Sequence, residues 1–277
     1  MSWLAEQLAG WPVGSAAAAV VGPDGTLDRA GPDTPFRWAS VTKLLTALAV
    51  LRAVAEGAAE LDEPAGPPGS TVRHLLAHTS GLTLHGRRAL QRALRPAPRI
   101  APGERRVYSN AGYEALAELV EQRTGRPFRA TLSRLVLAPL GLGDTVLEGS
   151  PASGATGTIA DLATLARELL APRALPAGAV EQLSTPAYPG LPGELPGFGR
   201  QEHNDWGLGA EIRDHKSPHW TSPDNSPRTF GHFGRAGGFL WVDPDAGLAC
   251  VALSDRNFGP WAADRWPRLS THVLAEY

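Results

Sequence analysis

Strand-like apolar segments occur at both ends of this chain, and helix-like patterns fill its middle. The strand-like segments lie at 16–22, 35–39, 206–213, 237–243 and 247–254. Between residues 60 and 200 apolar residues recur instead at helical spacing, in the segments 71–78, 112–124, 127–137 and 158–170. Strands from the two ends bury their apolar faces by pairing in one antiparallel sheet. The pattern therefore predicts an α+β fold, an antiparallel sheet flanked by helices with an inserted all-helical subdomain.

The same pattern sets the expected domain organisation. We expect a single domain over residues 1–277, with a sheet subdomain from about 1–58 and 203–277 and a helical subdomain at about 59–202. Gly22, Pro23, Asp24 and Gly25 separate the first two strand-like segments, which is typical of a hairpin. Amphipathic helices are expected near 2–10 and 260–275.

Charge and composition exclude several classes of function. With 277 residues and a net charge of −2, the chain lacks the basic excess typical of proteins that bind nucleic acid or anionic membranes. No segment approaches the roughly 18 apolar residues of a membrane span. The N-terminal segment has no basic start, and Glu6 interrupts it where a secretory signal is apolar, so we expect a cytoplasmic protein. The expected partner is a small-molecule substrate, and the oligomeric state stays open.

Cysteine and histidine spacing predict neither a metal nor another cofactor. Cys250 is the single cysteine and lies in an apolar run, which indicates a buried strand thiol. His74 and His78 are four residues apart, as are His215 and His219. Neither pair encloses a glutamate that could act as general base, and no third ligand is evident.

Lysine is almost absent from this chain. Of the 26 basic residues, only Lys43 and Lys216 are lysines and the remainder are arginines. The property that arginine lacks is the ability to lose its proton near neutral pH. Lys43 is therefore a candidate functional amine, whereas Lys216, in the segment DHKSPHW, is interpreted as an incidental loop residue.

Lys43 follows Ser40 by three residues at the start of a long apolar helix pattern. Side chains three apart on a helix share one face, so the amine can reach the hydroxyl. We expect Ser40 to be the N-cap and Gly57 to end the helix. An unprotonated amine can activate the serine as a nucleophile, and a backbone N–H at a helix start is free to bind an oxyanion.

Two further motifs contain residues that can take part in catalysis or bind substrate. Tyr108-Ser109-Asn110 precedes a helix pattern, and a tyrosine beside an ammonium can serve as general base, while Asn110 can bind Lys43 or substrate. The alternative is a loop with an Asn helix cap. His232-Phe233-Gly234 precedes a strand, where a glycine lets a substrate approach closely. The alternative is a glycine-kinked edge strand with a surface histidine.

Two residues near the third motif are candidates for binding substrate. Trp220 and Asn225 lie in the segment that precedes His232, and we expect both on a pocket wall. The chain contains no G-x-S-x-G sequence, which argues against the α/β-hydrolase fold.

In this order, Ser40-Val41-Thr42-Lys43, Tyr108-Ser109-Asn110 and His232-Phe233-Gly234 resemble the motifs of one family, that of class C β-lactamases, D-alanyl-D-alanine carboxypeptidases, D-aminopeptidases and related esterases. HLLAHTSGL at 74–82 and LAPLGLGDT at 137–145 extend the resemblance. It implies a β-lactamase/transpeptidase-like fold and an acyl-enzyme on Ser40, with Lys43 and Tyr108 moving the proton. It also implies that backbone N–H groups of Ser40 and Arg235 bind the oxyanion.

The third motif departs from the β-lactamase pattern. His232 stands where β-lactamases carry a lysine that helps to bind the substrate carboxylate, which weakens the case for β-lactam hydrolysis. Arg235 adds a bulky cation that could bind a carboxylate itself. We therefore expect a serine hydrolase acting on a small ester or amide, as an esterase, D-aminopeptidase or carboxypeptidase-like enzyme. The alternatives are an acyltransferase using the same acyl-enzyme, a β-lactamase, and a non-catalytic binding protein.

Overall fold

The computed structural model describes residues 2–84 and 100–277. Its helices are α1 Trp3–Ala9, α2 Thr42–Ala55, α3 Val72–Leu76, α4 Asn110–Thr124, α5 Phe128–Leu132 continuing through the π-helical turn Ser133–Leu137 into α6 Ala138–Leu140, α7 Ile159–Leu170, α8 Ala177–Ser184 and α9 Pro260–Glu276. Its strands are β1 Ala16–Gly22, β2 Gly25–Ala30, β3 Phe36–Arg37, β4 Val146–Leu147, β5 Ala155–Gly157, β6 Gly193–Leu195, β7 Gly199–Gln201, β8 Glu211–Ile212, β9 Phe230–Gly234, β10 Gly238–Asp243 and β11 Leu248–Ser254.

The main sheet joins the two ends of the chain, as the strand pattern predicts. Its six strands lie in the order β2-β1-β11-β10-β9-β8, and every neighbouring pair is antiparallel. The junction is the pairing of β1 with β11, in which Ala16 stands opposite Ser254 and Val21 opposite Ala249. The fold is therefore the predicted α+β class, with β9 carrying His232 near one edge.

Both faces of the sheet are covered. Alternate residues of β1 and β11, such as Ala19 and Val251, face a core that includes α2 and α7. The residues between them, such as Val20 and Cys250, face a second core with Trp266 of α9. Strands buried on both faces give continuous apolar runs in the sequence, which is why β1 and β11 are recognisable there.

The predicted hairpin between 16–22 and 35–39 is wrong in its second strand. β1 pairs with β2, and β3 belongs to a separate sheet in the order β3-β5-β4. β2 is an edge strand whose residues 25–29 are exposed or half-buried, so it has no apolar run that the sequence pattern could reveal.

The described residues in the middle of the chain are mainly helical, but they also form four short strands, β4 to β7, of two or three residues each. Strands this short leave no alternating pattern in the sequence. Helix α7 lies within residues 59–202 yet packs against β1 and β11, so the two predicted subdomains share a core. The strand expected at 206–213 is reduced to Glu211–Ile212.

Among the described residues, no helix combines the length and the apolar character that a bilayer crossing requires.

Candidate active site

Ser40 lies on a 3₁₀ turn, Ala39–Val41, that leads into α2. The prediction that Ser40 is the N-cap of the helix is wrong, because α2 begins at Thr42 and its N-cap position is Val41. Ala39 has a φ of 45°, a conformation that side-chain-bearing residues rarely adopt. This bend presents Ser40 to the cavity while Lys43 remains in the first turn of α2.

Lys43 is fully buried and donates to three oxygens. Its Nζ lies 2.7 Å from Oδ1 of Asn110, 2.8 Å from the carbonyl oxygen of Ala152 and 3.5 Å from Oγ of Ser40. The same nitrogen lies 4.7 Å from the ring centroid of Tyr108. An ammonium uses all three protons on these acceptors, whereas a neutral amine that keeps the first two bonds directs its lone pair at Ser40.

Burial lowers the pKa of Lys43 from 10.5 to about 7, and the charge of Glu114 opposes part of this shift. Desolvation disfavours the ammonium more than it disfavours the amine. Near neutral pH a large fraction of Lys43 is therefore uncharged, which is the form that accepts a proton from Ser40.

His78 holds the backbone on both sides of Tyr108. Its carbonyl oxygen accepts from the N–H of Val107 at 2.7 Å, and its Nδ1 accepts from the N–H of Ser109 at 3.2 Å. The ring centroids of His78 and Tyr108 lie 4.6 Å apart. Burial lowers the pKa of His78 well below its usual value, so the ring is neutral and carries its proton on Nε2.

Tyr108 is held in its neutral form. Burial raises the pKa of its phenol well above the usual value, with a hydrogen bond to Ser40 acting in the opposite direction. Its Oη lies 3.5 Å from Nε2 of His232. From the sequence, Tyr108 is expected to serve as general base beside an ammonium, whereas in the structure its phenol keeps its proton because burial favours the uncharged form.

His232 is uncharged and its tautomer is assigned by its contacts. Burial is the largest cause that lowers its pKa to about 3, with the charge of Lys43 next. Its Nδ1 lies 2.7 Å from the carbonyl oxygen of Phe233, so Nδ1 carries the proton and donates to that oxygen. Nε2 is then an acceptor that faces the hydroxyl of Tyr108. His232 is 3% exposed, so the alternative of a surface histidine does not hold.

Gly234 brings β9 into contact with the serine turn. A Cβ at this position would lie 2.4 Å from the carbonyl oxygen of Trp38 and 3.3 Å from the nitrogen of Ser40. Only glycine allows this approach without displacing the turn. Arg235 follows Gly234 immediately in the sequence. The family resemblance implies that the backbone N–H groups of Ser40 and Arg235 form an oxyanion site, and the close approach at Gly234 brings these two segments together.

These groups surround one cavity of about 880 Å³. Ser40, Tyr108, Asn110, His232 and Arg235 all line it, so the structure brings together predicted residues from three distant parts of the sequence. Asn110 is the first residue of α4, and the N-cap of this helix is Ser109 rather than Asn110.

Trp220 and Asn225, predicted to contact substrate, do not line this cavity. Trp220 is buried and donates from Nε1 to the carboxylate of Glu211 at 3.0 Å. Asn225 is buried and donates to Asp243 at 3.2 Å. Both side chains serve packing and hydrogen bonding beneath the surface instead.

Three residues that sequence reasoning missed contribute to the site. Trp206 lines the cavity and packs its ring against Tyr108 and His232. Glu211 also lines the cavity, and Ala152 supplies a carbonyl to Lys43. A carbonyl belongs to every residue, so no signal in the sequence distinguishes Ala152.

The interpretation of Lys216 as an incidental loop residue is wrong. It is 3% exposed and binds Glu211 at 2.5 Å and the carbonyl oxygen of Asp205 at 2.9 Å, with a further bond to the carbonyl of Ile212. His219 completes the cluster through Glu211 at 3.0 Å. Because its carboxylate accepts from three side chains, Glu211 is held as an anion in the cavity wall.

A serine hydroxyl beside an amine of lowered pKa and a neutral phenol is the equipment of a serine hydrolase. The chain belongs to the Beta-lactamase family, whose sequence model matches residues 10–275. A crystal structure described as a beta-lactamase from Mycobacterium bovis is 53% identical, with a TM-score of 0.92 and coverage of 98% of both chains.

The curated relatives match a shorter part of this chain than the family model does. Esterase EstB of Burkholderia gladioli is 37% identical over 150 residues, which are 40% of this chain and 38% of that protein. Monacolin J acid methylbutanoyltransferase of Aspergillus terreus is 31% identical over 156 residues, again 40% of this chain and 38% of the relative. The matches thus span about two fifths of the length of these relatives.

Proposed function

We propose that the protein forms an acyl-enzyme on Ser40 and hydrolyses a small ester or amide. The observation that carries this proposal is the position of Lys43, whose amine is buried, has a pKa of about 7 and lies 3.5 Å from Oγ of Ser40. Its other two hydrogen bonds, to Asn110 and Ala152, fix the direction of the lone pair. A base with a pKa near the working pH is the effective one for this step.

In the acylation step, Lys43 takes the hydroxyl proton of Ser40 while Oγ bonds to the substrate carbonyl carbon. The carbonyl electron pair moves to oxygen, and the resulting anion accepts hydrogen bonds from the N–H groups of Ser40 and Arg235. Collapse of this intermediate breaks the bond to the alcohol or amine. The departing group receives the proton that Lys43 holds, with the neutral phenol of Tyr108 as relay and His232 as the acceptor that orients its hydroxyl.

In the deacylation step, water attacks the ester carbonyl on Ser40 and gives a proton to the same amine. Collapse of this intermediate breaks the bond between the acyl carbon and Oγ, and Lys43 returns the proton to Oγ as the acid leaves. The same acyl-enzyme serves an acyltransferase when an alcohol or amine replaces water, and the similarity to a methylbutanoyltransferase supports this second candidate. The sequence-based prediction of a cytoplasmic location and the proposed subdomain boundaries at 59 and 203 stay predictions.

The test is a panel of p-nitrophenyl esters, D- and L-amino-acid amides and nitrocefin, assayed with the wild type and Ser40→Ala. We expect ester or amide turnover in the wild type, a fluorophosphonate adduct on Ser40, and loss of both in the variant. Ester turnover that persists in Ser40→Ala would overturn the proposal. Added alcohols or amines separate hydrolysis from transfer, because an acyltransferase gives the new ester or amide as product. Labelling of Ser40 without turnover would favour a binding protein.

A further inference from the structure

The mouth of the cavity carries one arginine beside each of the three motifs. Arg37 lies three residues before Ser40, Arg105 lies three residues before Tyr108, and Arg235 lies three residues after His232. All three line the cavity and are exposed. Elements distant in sequence thus place positive charge around one opening.

Acidic side chains do not balance these three guanidinium groups. The ion pairs within residues 2–84 and 100–277 include none of Arg37, Arg105 and Arg235. The sequence of residues 85–99 contains neither aspartate nor glutamate, so no side-chain carboxylate can come from that segment. Within the described residues, nine exposed or partly exposed arginines do form such pairs, so the three at the mouth lack a partner that many arginines of this protein have.

The other charged residues of the cavity wall have partners. Glu194 on β6 stands opposite Arg200 on β7 in the strand register, so the two charges offset each other in the net charge of the wall, although they form no ion pair. Glu211 is buried and bound by Lys216, His219 and Trp220. Arg106 is buried as well, and its guanidinium donates to the carbonyls of Ala77, Ala187 and Tyr188. Arg37, Arg105 and Arg235 therefore remain as uncompensated positive charge.

His232 does not add to this charge, since burial lowers its pKa to about 3. An anion entering the cavity meets no cation at the third motif itself. Guanidinium groups stay charged at every relevant pH and pair with carboxylates through two parallel hydrogen bonds. Several of them around a concave opening also raise the local concentration of anions.

We infer that the protein acts on esters or amides that carry a carboxylate, which Arg37, Arg105 and Arg235 bind at the cavity mouth. The inference rests on the proposed acyl-enzyme chemistry at Ser40. The preference for a negatively charged substrate then comes from these three arginines and not from His232 of the third motif.

The test compares esters matched in length and leaving group. p-Nitrophenyl hydrogen adipate carries a carboxylate, p-nitrophenyl hexanoate is neutral, and p-nitrophenyl 6-aminohexanoate is cationic. We expect kcat/KM for the adipate to exceed that for the hexanoate by about tenfold or more, and to fall more steeply with added NaCl. The cationic ester is expected to be the poorest substrate. A second pair, p-nitrophenyl and 3-carboxy-4-nitrophenyl hexanoate, places the carboxylate on the leaving group instead.

The variant is the triple substitution Arg37→Gln, Arg105→Gln and Arg235→Gln, which keeps the backbone N–H of residue 235. We expect the ratio of kcat/KM for the anionic ester to that for the neutral ester to fall by about tenfold or more. The matched control replaces Arg126, Arg129 and Arg256 by Gln; these three are exposed, do not line the cavity and form no ion pair within the described residues. The control removes the same net charge and is expected to keep the ratio.

Two outcomes overturn the inference: a wild type that does not prefer either anionic ester, or a triple variant whose ratio equals that of the control. Ser40→Ala tests the proposed function separately. Neutral-ester turnover that survives in Ser40→Ala refutes the acyl-enzyme proposal. If Ser40→Ala is inactive but the wild type shows no anion preference, only the role of the arginines is refuted. Labelling of Ser40 by a neutral fluorophosphonate verifies that the triple variant is folded around its nucleophile.

Discussion

The Nζ atom of Lys43 lies 3.5 Å from Oγ of Ser40, which lines a cavity together with Tyr108 and His232. Because burial lowers the pKa of this amine to about 7, the protonation state of one side chain determines the pH dependence of the proposed reaction. Below this pKa, Lys43 is an ammonium without a lone pair to accept the serine proton. Above it, Lys43 is a neutral amine with a free lone pair.

We therefore expect kcat/KM for a neutral ester to rise about tenfold per pH unit below pH 7 and to level off above it. His232 stays neutral over this range because its pKa is about 3, so it adds no second transition. Lys43→Ala should lower kcat by about 10²- to 10⁴-fold. The measurement is a pH–rate profile between pH 5 and 9. A profile that is flat across pH 7 would contradict the role of Lys43.

The same pKa shift predicts a pH-dependent gain in stability for Lys43→Met. In the folded protein Lys43 has a pKa of about 7 against an ordinary value of 10.5, so the unfolded chain binds its proton more tightly. This destabilises the wild type by about 1.4 kcal/mol more for each pH unit from 10.5 down to 7, and then by a constant amount. The variant lacks this penalty. Its free energy of unfolding relative to the wild type should rise between pH 10 and pH 7, as measured by urea denaturation, and an unchanged difference would contradict the shift.

His78 should position Tyr108 through its side-chain acceptor. We expect His78→Leu, which cannot accept from Ser109, to lower kcat by about 10²-fold with a smaller change in KM. His78→Asn should retain most activity, since asparagine offers an acceptor oxygen and tolerates the φ of 57° found here. Steady-state kinetics compares the two variants. Equal losses in both, with equal loss of stability, would indicate a purely structural role.

Gly234→Ala should reduce activity without unfolding the protein. The new Cβ would lie 2.4 Å from the carbonyl oxygen of Trp38, so the serine turn and β9 must move apart. A displacement of this kind at the reacting atoms costs about 10²-fold in rate. Fluorophosphonate labelling rates and thermal unfolding measure the two effects. Gly143→Ala is the control for substitution as such, because Gly143 has open space around its Cα and no positive φ.

The Glu211–Lys216 pair should matter for stability. Glu211→Gln leaves the buried ammonium of Lys216 without its counter-charge and should destabilise the protein by about 3 kcal/mol or more. Lys216→Met leaves the buried carboxylate of Glu211 without the ammonium that neutralises it. The double variant should lose less than the sum of the single losses, since it leaves neither charge alone. Additive losses in denaturant titrations would show that the pair is not coupled.

Much of the fold could be predicted because its main strands have strong sequence signals. β1 and β11 are apolar on both faces, and their positions at opposite ends of the chain require the ends to meet. β2 could not be recognised, because an edge strand with exposed residues has no apolar pattern. The exact start of α2 could not be predicted from the sequence either, because the bend at Ala39 depends on contacts with β9 and Trp38.

The candidate site divides in a similar way. Ser40, Lys43 and Tyr108 could be proposed because their chemistry depends on residue type and spacing. The contacts that tune them could not, because they come from tertiary packing: the carbonyl of Ala152, the neutral ring of His78 and the burial that keeps Tyr108 uncharged. Trp220 and Asn225 lie close to His232 in the sequence, but neither lines the cavity, and their side chains bind Glu211 and Asp243 instead.

Both lysines of this chain are buried, at 0% and 3% exposure, and each donates to three oxygen atoms. The surface of the folded protein therefore presents its side-chain positive charge through guanidinium and imidazole groups alone. Reagents that acylate primary amines, such as succinimidyl esters, find no exposed lysine to modify. Acylation of either ε-amine consequently reports an opening of the structure, at the catalytic cavity for Lys43 and behind its wall for Lys216.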